Sequence, residues 1–487
     1  MSPAGVKPKF LTVPFINDSI RVEAQEKIME RNPLVPSLDV YKTLSGPLDA
    51  QIELTSRCNN YCVHCYNYWR GDKFRDLNKD YSNSSLSLTG LETTIRYLAQ
   101  HQIIALTFTG GEPLLKSRKL LEGIKLAKQY DIACSINSNL TLITPELARE
   151  LKISGVDSIL ASLHASNSTL HDTITQRKGS FKQTVRGIDI CVGEGLDITA
   201  NMVVSALNKD QVLDTGRLVK SKGVSSFSAT KVSPCMGGIN FDEIDLNKED
   251  YKKMLDDLLF LEAEEGMHVD SLISYPLCAL GNWGYYRKFI ERKCAAGVAT
   301  CAISAEGNVR PCTVADEVYG NIFNETLEDI WKRMTDWRDG SRIPKGCLSE
   351  CEYFPSCRAG CRMNAKYCNG IDGMDPLATS PEGVYNQPQN QSETFSPMDL
   401  LDRKLVLGKK IKFRSEDFGG IVSNGPRASL FLDKLGYIAL KEVRFWERPF
   451  TIKEIQDQFS LTEAPNEFFF RLFKLGFIQP VNETIND

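Results

Sequence analysis

Glu53-Leu-Thr-Ser-Arg-Cys58-Asn-Asn-Tyr-Cys62-Val-His64-Cys65-Tyr66 is the stretch from which the fold is read. Its three cysteines have the spacing Cys-x3-Cys-x2-Cys. Just upstream, residues 50–54 carry apolar Ile52 and Leu54 on alternate positions, the pattern of a short strand. The cysteines therefore lie on a loop leaving a strand end, where α/β proteins place reactive groups on a rigid scaffold. Three thiolates can hold three irons of a 4Fe–4S cluster and leave the fourth iron open to bind and reduce a small molecule. A zinc knuckle is the competing reading. Structural zinc wants four ligands, and no fourth Cys or His completes a local set, because His64 lies between the cysteines themselves.

Outward from that loop, residues 50–235 alternate strand-like and helix-like patterns, the signal for a parallel sheet with crossover helices. Strands are expected over 50–54, 103–108, 131–137, 158–163, 197–204 and 225–232. Helices are expected over 86–101, 117–129, 145–154, 180–194 and 209–222. The strand ends hold polar residues that strand propensity would not select: Asn137-Ser138-Asn139, Ser162, Asn201 and Ser205. His164 and His171 read as turn or surface histidines. Residues 236–293 form a connecting segment, acidic and partly helical over 242–266, then aromatic and basic over 283–292.

At 487 residues the chain exceeds one ordinary core, so two or three domains are expected. A formal charge of −4 gives no reason to expect nucleic acid or an anionic membrane as partner. The sequence has no apolar run of the ~18 residues a membrane helix needs, and its first residues lack an apolar signal core. A cytoplasmic location is the expectation, and fifteen cysteines there point to metal rather than disulfides. Cys134, Cys191, Cys235 and Cys278 stand apart from the clustered ones and read as small buried hydrophobes. Cys235 is also a candidate reacting residue, because it ends a strand-like run on the expected active face.

The triplet, with His64 before its last cysteine, and Gly110-Gly111-Glu112-Pro113 at the end of the next strand resemble the two signatures of the radical S-adenosylmethionine (SAM) enzymes. The resemblance implies an α/β fold built on a partial (β/α)6 barrel with ligands at the strand C-terminal ends. It implies that Cys58, Cys62 and Cys65 hold a cluster and that His64 packs on the adenine. Gly110 and Gly111 would let backbone approach the ligand closely, Glu112 would accept from the methionine amine, and Pro113 belongs to the same cofactor-binding set. Ser162 and Arg177 match the residues that hold the SAM carboxylate; Lys178 could replace Arg177 but lacks its planar fork. Asn137 and Asn201 join the implied cofactor-facing set.

A second cysteine field runs Cys294-x6-Cys301-x5-Gly307-x4-Cys312, then Cys347-x3-Cys351-x5-Cys357-x3-Cys361-x6-Cys368. Residues 302–311 read as a hairpin turning at Glu306-Gly307-Asn308. The field resembles the SPASM extension of radical SAM peptide-modifying enzymes. By that resemblance Cys294, Cys301, Cys312 and Cys361 hold a first auxiliary 4Fe–4S cluster, and Cys347, Cys351 and Cys357 a second, giving three clusters in all. Two departures stand out. The Cys347–Cys351 gap has one extra residue, and Asp375-Pro376-Leu377 is followed by Ala378 where relatives have a final cysteine. Cys368 is the available substitute in sequence; otherwise the second cluster has an open or non-Cys ligand. A pair of zinc ribbons is the competing reading.

The expected organisation is an arm over 1–49, the barrel over 50–293, the auxiliary domain over 294–368, a Pro/Gly/Asn/Gln-rich linker over 369–400 and a last domain over 401–487. In the last domain, 412–425 reads as a hairpin with an Asn424-Gly425 turn, a hairpin that can belong to a longer three-strand sheet. Three amphipathic stretches follow, 428–443, 451–459 and 464–475. This winged-helix-like pattern resembles PqqD-like modules that bind leader peptides; DNA binding has no basic stripe to support it.

The resemblance implies maturation of a ribosomally made precursor peptide. One electron, from a donor such as a flavodoxin or ferredoxin, cleaves SAM, and the resulting 5′-deoxyadenosyl radical takes a hydrogen from the peptide. A crosslink, an epimerisation or a backbone excision can follow. Sulfatase-maturing relatives place an Asp directly after the cysteine of Gly-x4-Cys as a candidate base; here Cys312 is followed by Thr313, and Asp316, displaced by three residues, is with Cys235 a candidate catalytic acid or base. A sulfatase-maturing, formylglycine-forming enzyme, a porphyrin side-chain decarboxylase-like enzyme and a non-catalytic Fe–S electron-transfer or sensor protein are the alternatives.

Overall fold

The computed structural model describes residues 43–67, 84–234, 241–290, 292–379, 382, 384, 385, 400, 403–408, 411–424, 429–446, 448–459 and 465–481. These fall into two compact units, 43–385 and 400–481. Most of the expected N-terminal arm lies outside the described residues.

In the first unit β1 (Asp49–Glu53), β2 (Ala105–Thr109), β3 (Ala133–Ser138), β4 (Ser158–Ser162), β5 (Ile198–Val204) and β6 (Ser226–Lys231) run parallel in that spatial order. Between them come α1 (Leu88–Gln100), α2 (Ser117–Gln129), α3 (Pro145–Ser154), α4 (Ser168–Thr175), α5 (Ser180–Gly193) and α6 (Val212–Ser221). At the starts of α1, α3 and α4 a side chain accepts from an otherwise orphaned amide. The Ser87 oxygen accepts from Gly90 N, that of Thr144 from Leu147 N, and that of Asn167 from Leu170 N. Leu91, Ile95 and Leu98 of α1 and Leu120, Ile124 and Ala127 of α2 recur at helical spacing. They are buried in one core with Ile52, Leu106 and Phe108 of the sheet.

The sheet is longer than the six strands expected. β7 (His268–Asp270) adds beside β6, and β8 (Thr300–Ile303) pairs parallel with β1, Thr300 opposite Asp49. β9 (Asn308–Arg310) and β10 (Gly320–Asn321) extend that edge antiparallel. β7 and β8 are too short to show a period, and pairing across 251 residues leaves no local trace. The expected turn at Glu306-Gly307-Asn308 does join β8 to β9. The cysteine field therefore begins inside the same sheet as the Cys58 loop. α7 (Lys248–Glu265) is charged, yet it buries Tyr251, Met254, Leu255, Leu258 and Leu261. The start of the expected linker is also fixed: buried Asp375 accepts from the amides of Cys361 at 3.1 Å and Leu377 at 3.0 Å.

The second unit contains β11 (Leu405–Leu407) paired with β15 (Ile478–Pro480), and an antiparallel sheet β12 (Lys412–Glu416), β13 (Gly419–Ser423), β14 (Ser429–Asp433). Three helices, α8 (Lys434–Phe445), α9 (Ile452–Phe459) and α10 (Pro465–Lys474), follow β14. The first hairpin turns between Glu416 and Gly419, not at Asn424-Gly425, which comes after β13. The stretch expected as one amphipathic segment from 428 begins as β14, because Leu430 and Leu432 cover a core shared with Tyr437 and Leu440 of α8. No helix among the described residues is long and apolar enough to cross a membrane.

Candidate functional site

The Cys58 loop leaves the carboxyl end of β1 and is clamped by the turn that leaves β2. Gly111 N donates to Thr55 O at 2.7 Å, and Glu112 N donates to Arg57 O at 2.8 Å. A Cβ at Gly111 would stand 2.0 Å from Arg57 O, and one at Gly110, whose φ is +122°, 2.4 Å from Thr55 O. Both glycines are thus demanded by the approach of the cysteine loop's own backbone. Pro113, which follows them, is buried at the start of the turn 113–116.

Glu112 is buried and accepts three hydrogen bonds: from Leu114 N at 3.0 Å, Ser138 Oγ at 2.7 Å and Asn139 N at 2.8 Å. Burial raises its pKa above the ordinary carboxylate value, and these donors oppose the rise. The carboxylate ties the β2 end to the β3 end. Asn139 continues the link: its Nδ2 donates to Asn59 Oδ1 at 2.9 Å and lies 3.8 Å from Cys58 Sγ. Arg177 reaches the loop from the far side, Nη1 donating to Asn59 O at 3.2 Å. It therefore holds cysteine-loop backbone; Lys178 beside it is exposed. Asn137, Ser162 and Asn201 are half-buried near the ends of β3, β4 and β5, with Ser162 opposite Asn201 and Thr230 Oγ1 donating to Asn201 Oδ1 at 3.1 Å.

His164 and His171 are not surface residues: both are buried. The rings of His64 and His164 meet edge-on at 4.4 Å, and those of His164 and His171 stack at 5.7 Å. The His164 amide donates to His171 Nδ1 at 3.1 Å, and the Val203 amide to His164 Nδ1 at 3.3 Å. Burial pushes His64 and His171 down to about 4 and His164 well below its usual value, so the three are neutral near pH 7. The sequence offered one signal for this, the spacing of seven residues that lets α4 fold His171 back onto the β4 end. One nitrogen of His64, one of His164 and Cys62 Sγ all lie within 4.8 Å of one another.

Glu53 forms a buried ion pair with Arg310, whose Nη1 also donates to Thr313 O and Ala315 O, each at 3.0 Å. This pins the turn after Cys312 to the strand that feeds the Cys58 loop. Tyr66, with Glu53 and Cys65 near it, is pushed up to about 12, mainly by burial.

In the cysteine field, Cys294, Cys312 and Cys361 are electrostatic neighbours of one another. Cys301 is not placed with them: it is fully buried on β8 opposite Ala50, with Asp49 as its charged neighbour. Cys347, Cys351 and Cys357 come together, and Cys278 joins them. Cys368 is exposed and faces Asp245, Lys231, Asp242 and Asp375 instead. Burial pushes Cys312 and Cys347 up to about 11 and Cys357 and Cys361 up to about 12, while backbone amides donate to Cys312, Cys357 and Cys361. Crowded buried thiols that accept amide hydrogens suit metal-bound thiolate, since a coordinating cation offsets the burial. At the first site the fit is similar: three half-buried cysteines on one loop, with Asn60 N donating to Cys58 Sγ at 3.4 Å.

Asp316 is engaged by Lys366 at 2.5 Å, which also meets Glu317 at 3.1 Å. Cys134 and Cys191 are buried among apolar side chains. Cys235 lies outside the described residues.

Residues 52–219 match the Radical SAM superfamily, and residues 294–362 match SPASM, an iron–sulfur cluster-binding domain. These two domains imply a SAM-binding 4Fe–4S cluster and auxiliary clusters. An AdoMet-dependent heme synthase of Methanosarcina barkeri is 26% identical, over 68% of this chain and 95% of that one. The mycofactocin maturase MftC of Mycolicibacterium smegmatis is 28% identical, over 73% of this chain and 87% of that one. The crystal structure of Streptococcus suis SuiB bound to precursor peptide SuiA superposes with TM-score 0.55 at 16% identity, over 74% of this chain and 79% of that one.

Proposed function

We propose that this chain modifies a ribosomally made precursor peptide by radical chemistry begun at the Cys58–Cys62–Cys65 loop. The observation that carries the reading is the clamp of Gly111 and Glu112 on that loop, at the carboxyl end of a parallel sheet whose edge is continuous with a second cysteine field. When bound, the cluster and SAM together supply a 5′-deoxyadenosyl radical that removes a hydrogen atom from the substrate. The chain's own part is to hold the three thiols in one geometry, to present a buried carboxylate and half-buried Ser162 and Asn201 toward the cofactor, and to exclude water. His64, whose buried Nδ1 has no hydrogen-bond partner among the described residues, is suited to pack against a planar base. The thiols of the second cysteine field would hold auxiliary clusters, which would supply an electron acceptor for an oxidative outcome.

In this reading residues 50–293 form the radical SAM domain, 294–368 the auxiliary domain, and 401–487 a PqqD-like leader-binding module. Support for the last comes from α8, which leaves Leu435, Ile438 and Phe445 exposed on one face beside the β12–β14 sheet. Such a helix-and-sheet surface suits an extended peptide. A flavodoxin or ferredoxin is the proposed electron donor. The test is anaerobic co-expression with a small peptide encoded beside the gene, followed by its mass. The heme synthase relative favours one other reading, a porphyrin-type substrate; that alignment accounts for 95% of the synthase but leaves about a third of this chain unmatched. Conversion of a porphyrin, with no peptide changed, would select it.

A further inference from the structure

We infer that Cys278, with Cys347, Cys351 and Cys357, is the fourth ligand of the second auxiliary cluster, and that Cys368 is not a ligand. This rests on the auxiliary-cluster reading above and assigns the position that the sequence leaves open.

Cys278 lies in a short turn, Leu277–Ala279, far from the cysteine field in sequence. The turn is locked onto that field from both sides. Leu277 N donates to Cys357 Sγ at 3.2 Å, so the residue preceding Cys278 already touches a thiol of the set. Thr379 N donates to Cys278 Sγ at 3.2 Å, and Thr379 Oγ1 donates to Cys278 O at 2.7 Å. Cys347, Cys351 and Cys357 each have Cys278 as an electrostatic neighbour. A small apolar filler has no need of an amide aimed at its sulfur; a thiolate ligand does. Thr379 directly follows Ala378, the place after Asp375-Pro376-Leu377 where the sequence lacks a cysteine. The thiol missing from that segment is thus supplied from across the fold. Cys368 is exposed and sits among Asp245, Asp242, Asp375 and Lys231, three acids and one base, surroundings that disfavour a further anion.

The full-length chain is reconstituted anaerobically with iron and sulfide, and iron, sulfide and the reduced EPR spectrum are measured. Cys278→Ala is expected to lose up to about four irons per chain or to convert one cluster to a three-iron form, whereas Cys368→Ala matches the unaltered chain. Cys278→Ser, near-isosteric, is expected to shift the EPR signal of one cluster if the alanine variant does not fold. Adding Ala378→Cys to Cys278→Ala is expected to restore the lost iron. Retention of the full iron content and spectrum by both Cys278 variants overturns the assignment, as does loss on Cys368→Ala alone. An unaltered chain without a second auxiliary cluster overturns the underlying reading together with it.

Discussion

The α-carbon of Gly111 faces the Arg57 carbonyl so closely that a Cβ there would stand 2.0 Å from the oxygen. Contact this tight with backbone cannot be relieved by turning a side chain. Gly111→Ala therefore has to push the cysteine loop off the β2 turn and break the hydrogen bond to Thr55 O. A displacement on the order of 1 Å at a reacting centre costs roughly 100-fold in rate. Reductive SAM cleavage by Gly111→Ala is expected to fall by about that factor, with auxiliary-cluster iron retained. Wild-type cleavage would show that the clamp does not position the loop.

Arg310 and Glu53 form the buried link between β9 and β1, and each is nearly sealed from solvent. Removing one partner strands the other charge, at a cost of about 3–5 kcal/mol. Arg310→Met should lower stability by that amount in chemical unfolding, and Glu53→Gln added to it should recover much of the loss. Equal losses in the single and double variants would contradict the pairing.

His171 is held by burial at about 4, against an ordinary value of 6.5. The unfolded chain takes up a proton near pH 6.5 and the folded chain does so only near pH 4. Stability from this group is thus present above pH 6.5 and lost as pH falls toward 4, about 3 kcal/mol over the window. His171→Gln is expected to flatten the acid limb of a stability–pH curve by that order. An unchanged slope between pH 7 and 4.5 would count against a neutral buried His171.

Ile438 and Phe445 are 53% and 69% exposed on α8. If this face holds the leader, Ile438→Asp and Phe445→Asp should each weaken leader binding by about tenfold or more, read by fluorescence anisotropy. SAM cleavage should be unchanged. Undiminished binding by both variants would move the leader site elsewhere.

Much of the fold was legible because most of the helices between β1 and β6 carry a clear apolar period; α2 and α3 begin and end where the apolar spacing says they should. What escaped was short or non-local. β8 has four residues and joins the sheet only through pairing with β1. α4 was hidden in a polar stretch, and with it the burial of His171 that completes the ring stack. In the site, the Cys58 triplet and the Gly-Gly-Glu turn announce themselves by spacing. Cys278 does not, because its partners start 69 residues later and only the folded turn brings them together. Cys301 fits a spacing but sits on a strand whose neighbour is β1. Spacing reports which thiols are available; the sheet decides which of them meet.

The most direct test of the central claim is the mass of the co-expressed precursor peptide, taken in water and in heavy water. The peptide is expected to change in a way that disappears when Cys58, Cys62 and Cys65 are replaced by alanine: loss of two hydrogens for a crosslink, gain of deuterium for an epimerisation, or a larger loss for excision. A peptide unaltered in both solvents, while the chain still cleaves SAM, would contradict it.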